Sequence, residues 1–194
     1  MIDISERLIM TDESLHSPHV RIATIEDIPS LLPLMRALAE YEGYADGFVV
    51  TEMTLVEQGF RRSPPAFECF VADAGGGMLT GMLVFYMIPF TFRAKPTLFV
   101  KELFVSVGYR GNGVGEQLMR AAAAEAVRRD CGIMKWQVAR WNSAAARFYE
   151  RLGAAPDPEW VDYVLSSDAC AGLADAVDRN LSSFRPRSLN SAGD

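Results

Sequence analysis

The chain is poor in the residues that most hydrolytic and metal chemistry needs. It has two histidines, His16 and His19, and three cysteines, Cys69, Cys131 and Cys170. Both histidines lie in a polar N-terminal stretch, which leaves little for a Ser-His-Asp or Cys-His mechanism and argues against a metal site. The cysteines are odd in number, far apart and without a CxxC pair. They read as reduced thiols of a cytoplasm, not as a disulfide frame. Positive charge is also short: the formal net charge is -6 and the pI is near 5.0. No electrostatic footprint for nucleic acid exists, so any anion site must be made locally. Arg61-Arg62 and Arg128-Arg129, the two basic clusters, read as solvated surface. No run reaches the length of a membrane span, and the stretch from Met1 to Glu6 lacks the basic start and apolar core of a signal peptide. The expectation is a soluble cytoplasmic protein with no nucleic-acid or membrane partner and no metal.

What is present fits one packed domain: 194 residues, of which 49% are apolar. Residues 1–18 form a polar leader. His19 to Ala23 reads as a strand, and Thr24 with Asp27 three positions on has capping-box spacing. Leu31, Leu32, Leu34, Met35, Leu38 and Ala39 then recur with helical period to Tyr41. Pro29 suits a first turn and Pro33 does not suit an interior, so a late start or a kink is expected. Thr51 caps a short second helix ending near Gly59. Phe67 to Ala72 and Leu79 to Ile88, joined by a glycine-rich turn, predict an antiparallel hairpin. Pro89 and Pro96 bracket a loop holding Arg93 and Lys95. Leu98 to Val105 predicts a strand, Val114 to Arg129 a helix, Ile133 to Ala139 a strand, Ser143 to Leu152 a helix stopped by Gly153, and Trp160 to Leu165 a last strand. A hairpin followed by strand-helix-strand indicates an α/β or α+β domain with a mixed sheet. The tail from about Ser182 reads as disordered.

The run Tyr109-Arg110-Gly111-Asn112-Gly113-Val114-Gly115 has the character of a phosphate cradle. Alternating glycines admit an anion to the backbone N–H groups, and a following helix adds unsatisfied amides and the positive end of its dipole. A Walker A loop needs GK[ST] after four spacers, which the chain lacks. A dinucleotide fingerprint needs G-x-G-x-x-G and an acidic residue about twenty positions on. Here the glycines run G-x-G-x-G, and Lys135-Trp136-Gln137 stands in that region. What survives is a loop whose amides and one arginine suit a pyrophosphate.

Arg110-Gly111-Asn112-Gly113-Val114-Gly115 resembles the R/Q-x-x-G-x-G/A acetyl-CoA motif of the GNAT acetyltransferases. Trp141-Asn142-Ser143 through Phe148-Tyr149-Glu150-Arg151-Leu152-Gly153-Ala154 resembles their second signature. Leu38-Ala39-Glu40-Tyr41-Glu42, Thr51-Glu52 and Gly59-Phe60 are similar to early segments of the diamine (spermidine/spermine) branch. The resemblance implies a mostly antiparallel central sheet flanked by helices over residues 19–166, with a helix and tail over 167–194, and a homodimer. It also implies site roles. Leu103 and Val105 would offer backbone groups to the pantetheine arm as though it were an added strand. The amides of Gly111, Gly113, Val114, Gly115 and Glu116, with Arg110, would hold the pyrophosphate. Asn142 would contact the cofactor beyond its thioester, and Tyr149 would stand at the sulfur.

In the implied chemistry a neutral primary amine of a small molecule attacks the thioester of acetyl-CoA directly, an oxyanion forms beside N–H donors, and coenzyme A leaves as a thiolate. A phenol of reference pKa about 10 stays protonated at neutral pH and can supply the thiolate's proton. From spacing alone Tyr149, beside Phe148 and Leu152, reads more often as a core residue; only the resemblance gives it the acid role. The amine arrives protonated, and Glu102 is the candidate base or substrate contact. It is equally a strand carboxylate paired with a neighbour, because alternation sends Lys101 and Glu102 to opposite faces. The diamine branch has two acids at these positions. A polyamine ammonium about 4 Å from Lys101 would meet repulsion of roughly 4 kcal/mol at an effective dielectric of about 20. With Arg93 and Lys95 nearby, the expected acceptor is a small primary amine that also carries an anionic group, as in an amino acid. Protein or peptide acetylation, and a coenzyme A-binding module without catalysis, are the competing readings.

Overall fold

The structure, a computed structural model, describes residues 18–89 and 94–181. Arg93 and the tail beyond 181 lie outside the described residues. The chain divides into two compact units, Met1–Phe148 and Tyr149–Asp194. No helix among the described residues is long and apolar enough to cross a membrane.

The first unit is built on a five-stranded sheet in the order β1 (His19–Ile22), β2 (Glu68–Asp73), β3 (Leu79–Ile88), β4 (Thr97–Val105) and β5 (Ile133–Lys135). Neighbours pair antiparallel except β4 with β5, which are parallel. The mixed, mostly antiparallel sheet expected from the sequence is therefore present. The parallel pair needs a crossover, and α3 (Val114–Arg128) supplies it.

From Gly81 onward, even-numbered positions of β3 face one layer of helix and odd-numbered positions the other, as a pleat requires. Met82 and Val84 share a core with Val71, Phe104, and Leu31, Leu34, Met35 and Leu38 of α1 (Ile28–Glu42), joined by Leu55 of α2 (Glu52–Leu55). Gly81 faces the opposite layer. A Cβ there would come within 3.2 Å of Leu118 Cδ1 and 3.0 Å of the Phe104 carbonyl, so glycine lets α3 lie close against β3. Leu118 is fully buried, and Val114, Met119, Ala122 and Ala126 line the same stripe of α3.

Local chemistry explains the element starts. Asp27 accepts the Thr24 N–H at 2.7 Å and closes a 3-10 turn over Ile25–Asp27, after which α1 begins at Ile28. The helix proper starts at Ile28 with Pro29 in its first turn, but Pro33 lies inside it, where a late start or a kink was expected. Thr51 caps α2 by accepting the Thr54 N–H at 3.1 Å, and the chain continues as a π-turn over Val56–Arg61.

Three expectations need correction. Strand β5 ends at Lys135, not Ala139. Its pairing stops at Phe99, two residues before a bulge in β4: Phe85 faces Val100 but Val84 faces Glu102, leaving Lys101 as the extra residue. A bulge bends and over-twists its strand, which breaks a ladder on the other edge. The stretch Trp160 to Leu165 in the second unit is not a strand; its residues are exposed. That unit carries the end of α4 (Ser143–Arg151) and α5 (Ser167–Leu181). Arg129, read as solvated, pairs with Glu68 and Glu125 and lies 5.8 Å from the Phe85 ring centroid.

Candidate active site

After β4, residues Val107–Tyr109 make a 3-10 turn, and the glycine loop leads into α3. Gly111 and Gly113 have φ of 80° and 79°, in the left-handed region that a side chain would strain. Gly115 is already helical. A Cβ on it would meet the Phe148 ring at 3.4 Å, so its bareness keeps the first turn of α3 open beside α4. Gln117 is the first residue to donate within the helix, to the Gly113 carbonyl at 3.0 Å. The N–H groups of Val114, Gly115 and Glu116 precede it and have no acceptor within the helix, so they are available to an anion. The Glu116 side chain is committed elsewhere, to Arg120 at 2.7 Å, so only its amide belongs to the cradle.

The outer edge of β4 adjoins this loop in sequence. Ser106 donates to the Thr80 carbonyl of β3 at 2.9 Å. Backbone alternation therefore turns the polar groups of Val105 and Leu103 away from β3, to the edge that β5 no longer covers. An extended chain could add there by hydrogen bonds. One group on that edge is engaged: the Val105 carbonyl accepts Arg110 Nε at 2.8 Å. The Arg110 guanidinium lies 5.1 Å from the Tyr41 ring centroid and 5.5 Å from that of Phe104. Sequence reasoning named Arg110 and missed its holders. The Leu38 to Glu42 similarity was the only hint at Tyr41.

Glu102 pairs in register with Val84 and so faces α1. Burial chiefly pushes its carboxyl pKa up; Lys101 pulls it down and Glu42, the last residue of α1, pushes it up again. Tyr44, just past the left-handed Gly43 that ends α1, has its phenol pushed up to about 12 by burial, then by Glu102 and Glu42. Two carboxylates and a phenol thus gather where α1 ends against β4. Strict alternation placed Lys101 and Glu102 on opposite faces, and the bulge at Lys101 replaces it locally. Lys101 is exposed and has no ion-pair partner among the described residues.

Asn142 precedes α4 and caps it, its Oδ1 accepting the Ala145 N–H at 3.0 Å. The carboxamide NH2 remains to donate to a ligand. Trp141, beside it, packs on Tyr41 with ring centroids 5.6 Å apart. Phe148 follows on α4, and Tyr149 is the first residue of the second unit. The Tyr149 carbonyl closes the helix by accepting from Leu152 and Ala154 at 3.0 and 3.1 Å, before Gly153 at φ 88°.

A family model of the acetyltransferase (GNAT) family matches residues 33–154. The chain belongs to the GNAT acetyltransferases. It is an N-acetyltransferase, of a family whose members draw acetyl from acetyl-CoA. Among curated proteins it is 28% identical to a thialysine N-epsilon-acetyltransferase of Sus scrofa, over 80% of this chain and 96% of that one. It is 26% identical to the L-ornithine N5-acetyltransferase NATA1 of Arabidopsis thaliana, over 79% of this chain and 86% of the relative. A spermidine/spermine N(1)-acetyltransferase-like protein 1 of Homo sapiens is 26% identical over 75% of this chain but 21% of its own length. Among solved structures, an integron cassette protein from the mobile metagenome of V. cholerae superposes with TM-score 0.68 at 22% identity, covering 81% of this chain and 98% of that one. That likeness is one of fold.

Proposed function

We propose that this N-acetyltransferase moves acetyl from acetyl-CoA to the primary amine of a small amino-acid-like molecule, with Glu102 receiving the amine's proton and Tyr149 protonating the departing sulfur. The observation that carries the proposal is Glu102: a half-buried carboxylate one residue before the open edge of β4, in the α1 layer, beside a second acid. The chain fits acetyl-CoA at two places. The left-handed glycines expose the α3 amides to a pyrophosphate, and the β4 edge at Leu103, with the Val105 N–H, suits the pantetheine arm.

Acetyl-CoA supplies an activated acyl group whose leaving sulfur needs one proton. The protein's part is to align and to move protons. Gly111, Gly113, Val114, Gly115 and Glu116 hold phosphate oxygens through their amides, assisted by Arg110. Asn142 donates its carboxamide N–H to the cofactor while its oxygen caps α4. Burial lifts Glu102 toward the operating pH, which makes it a better proton acceptor for an alkylammonium, directly or through a water. The Tyr149 hydroxyl donates its proton to the departing sulfur.

Three facts support an acceptor with an anionic group. Lys101 presents an ammonium on the bulge next to Glu102; Glu102 and Glu42 present the opposite charge; and two relatives are named for thialysine and ornithine, amines that carry a carboxylate. Free thiols at Cys69, Cys131 and Cys170 support a reducing compartment such as the cytoplasm.

The test is thiol release from acetyl-CoA across ornithine, lysine, thialysine, spermidine and short peptides. Amino-acid-like amines are expected to give the highest kcat/KM. A far higher value for spermidine would sink the acceptor assignment, peptides alone would indicate protein acetylation, and binding of acetyl-CoA without turnover would indicate a silent module. Tyr149→Phe should lower kcat by about 100-fold or more while coenzyme A affinity holds, and an unchanged rate would remove the acid role.

A further inference from the structure

Arg110 is exposed, opens the glycine loop and has no carboxylate partner among the described residues, yet its side chain is fixed at three places. Nε donates to the Val105 carbonyl, and the rings of Tyr41 and Phe104 lie within cation–π distance of the guanidinium. Phe104 is a core residue at 7% exposure, so its position follows from folding alone. Tyr41 is different. It sits on the last turn of α1 with 45% of its surface in water, and its other ring contact is Trp141, 58% exposed, next to the α4 cap Asn142. Core packing gives no reason to keep two large wet rings tilted against each other beside an arginine.

We propose that Tyr41 is a positioning residue for the cofactor: its ring holds the Arg110 guanidinium ready for the pyrophosphate, and its contact with Trp141 ties the end of α1 to the second cofactor segment. The inference rests on the assignment of Arg110 to the pyrophosphate. An arginine on an exposed loop loses rotamer freedom when it grips a phosphate, and that loss weakens binding. Here the ordering is done beforehand. Nε is committed to the strand, the guanidinium carbon lies over two rings, and the terminal N–H groups are left to bind the anion bidentately. Tyr41 therefore raises cofactor affinity without touching the cofactor. It also stands one residue from Glu42, at the acceptor end of α1, so the same ring joins cofactor and acceptor sides of the site.

The experiment is a double-mutant cycle on the full chain, with coenzyme A affinity read by isothermal titration and acetyl-CoA KM by steady-state kinetics. Tyr41→Ala should weaken coenzyme A by about two- to fivefold, the size of one exposed cation–π contact, and the loss in kcat/KM for acetyl-CoA should fall on KM. Tyr41→Phe, which keeps the ring face, should restore affinity. In an Arg110→Ala background, Tyr41→Ala should have no further effect. Unchanged affinity in Tyr41→Ala, or the same loss with and without Arg110, would overturn the role of Tyr41 alone. If Arg110→Ala itself left affinity unaltered, the pyrophosphate assignment and this inference would fall together.

Discussion

A carboxylate that must take a proton from an alkylammonium is helped by surroundings that disfavour its own charge, and Glu102 has two of them. Burial is the larger and Glu42 the smaller; the neighbouring Lys101 works the other way. The net direction is upward, so the folded protein holds a proton on Glu102 more tightly than the unfolded chain does. Stability from this group is full at low pH, below the ordinary glutamate range, and is lost as pH rises through the raised value. Ionising Glu102 in the folded protein therefore costs stability in return for its basicity. Glu102→Gln should therefore melt higher than the wild type at pH 7, and the gain should shrink toward nothing near pH 4. It should also lose most of its acetyl transfer. Thermal melts at the two pH values check the first point; a variant that melts lower at pH 7, or shows an equal offset at both, would contradict the assigned cause.

At the scale of elements, the clasp on β1 shows how a charged cluster can hold a layer in place. Arg21 on β1 donates to Asp27, at the end of the 3-10 turn before α1, with 2.6 and 2.7 Å contacts. It also donates to Asp73 at the end of β2, at 2.8 Å. The Asp27 side chain is 8% exposed and its pKa is lowered first by Arg21. Removing Arg21 strands a buried carboxylate. The arginine is partly solvated, so the cost lies between that of exposed and buried pairs: Arg21→Ala should lose about 2 kcal/mol of unfolding free energy at pH 7. Because a depressed carboxylate stabilises above its unfolded pKa and not below it, the difference should narrow as pH falls into the carboxylate range. Urea titrations at pH 7 and pH 4 measure both; an unchanged midpoint at pH 7 would show the clasp to be energetically idle.

The same scale shows what local pattern can and cannot carry. The Thr24–Asp27 cap, the Leu31 to Ala39 stripe, the β2–β3 hairpin and the Val114 helix follow from neighbours in sequence, and each appears where the residues put it. Pro33 is tolerated inside α1 because the bond it omits would have gone to the Pro29 carbonyl, near the helix start. What pattern could not carry is non-local. Nothing at Val100-Lys101-Glu102 signals a bulge, since no glycine or proline marks it, yet the bulge decides where β5 stops pairing and what Lys101 can reach. The glycine loop was legible as a tight left-handed turn opening a helix, which is what the anion-cradle proposal builds on. The Tyr41 ring and Glu42 come to the site only because α1 packs across β4, and the helix-capping use of Asn142 depends on where α4 begins. The apolar run Trp160 to Leu165 has the composition of a strand, but a strand needs an edge to pair with, and pattern does not say where that edge is.

That segment carries its consequence at the scale of the whole molecule. Trp160, Val161, Tyr163, Val164 and Leu165 are 74%, 71%, 96%, 93% and 54% exposed, five large apolar side chains within six residues. Monomeric soluble proteins seldom leave such a run in water, and a strand-forming sequence without a partner strand is prone to pair with another chain. The cost of its exposure falls if a second copy covers it, because a two-fold interface buries the same residues on both chains at once. The expected assembly is a homodimer, with a solution mass near twice 21.4 kDa by light scattering coupled to size exclusion. Val164→Asp, which puts a charge in the run, should shift the mass to that of one chain at micromolar concentration. A wild-type mass of one chain at every concentration would remove the dimer, and a dimer that survives Val164→Asp would mean that the exposed run is not what holds the two copies together.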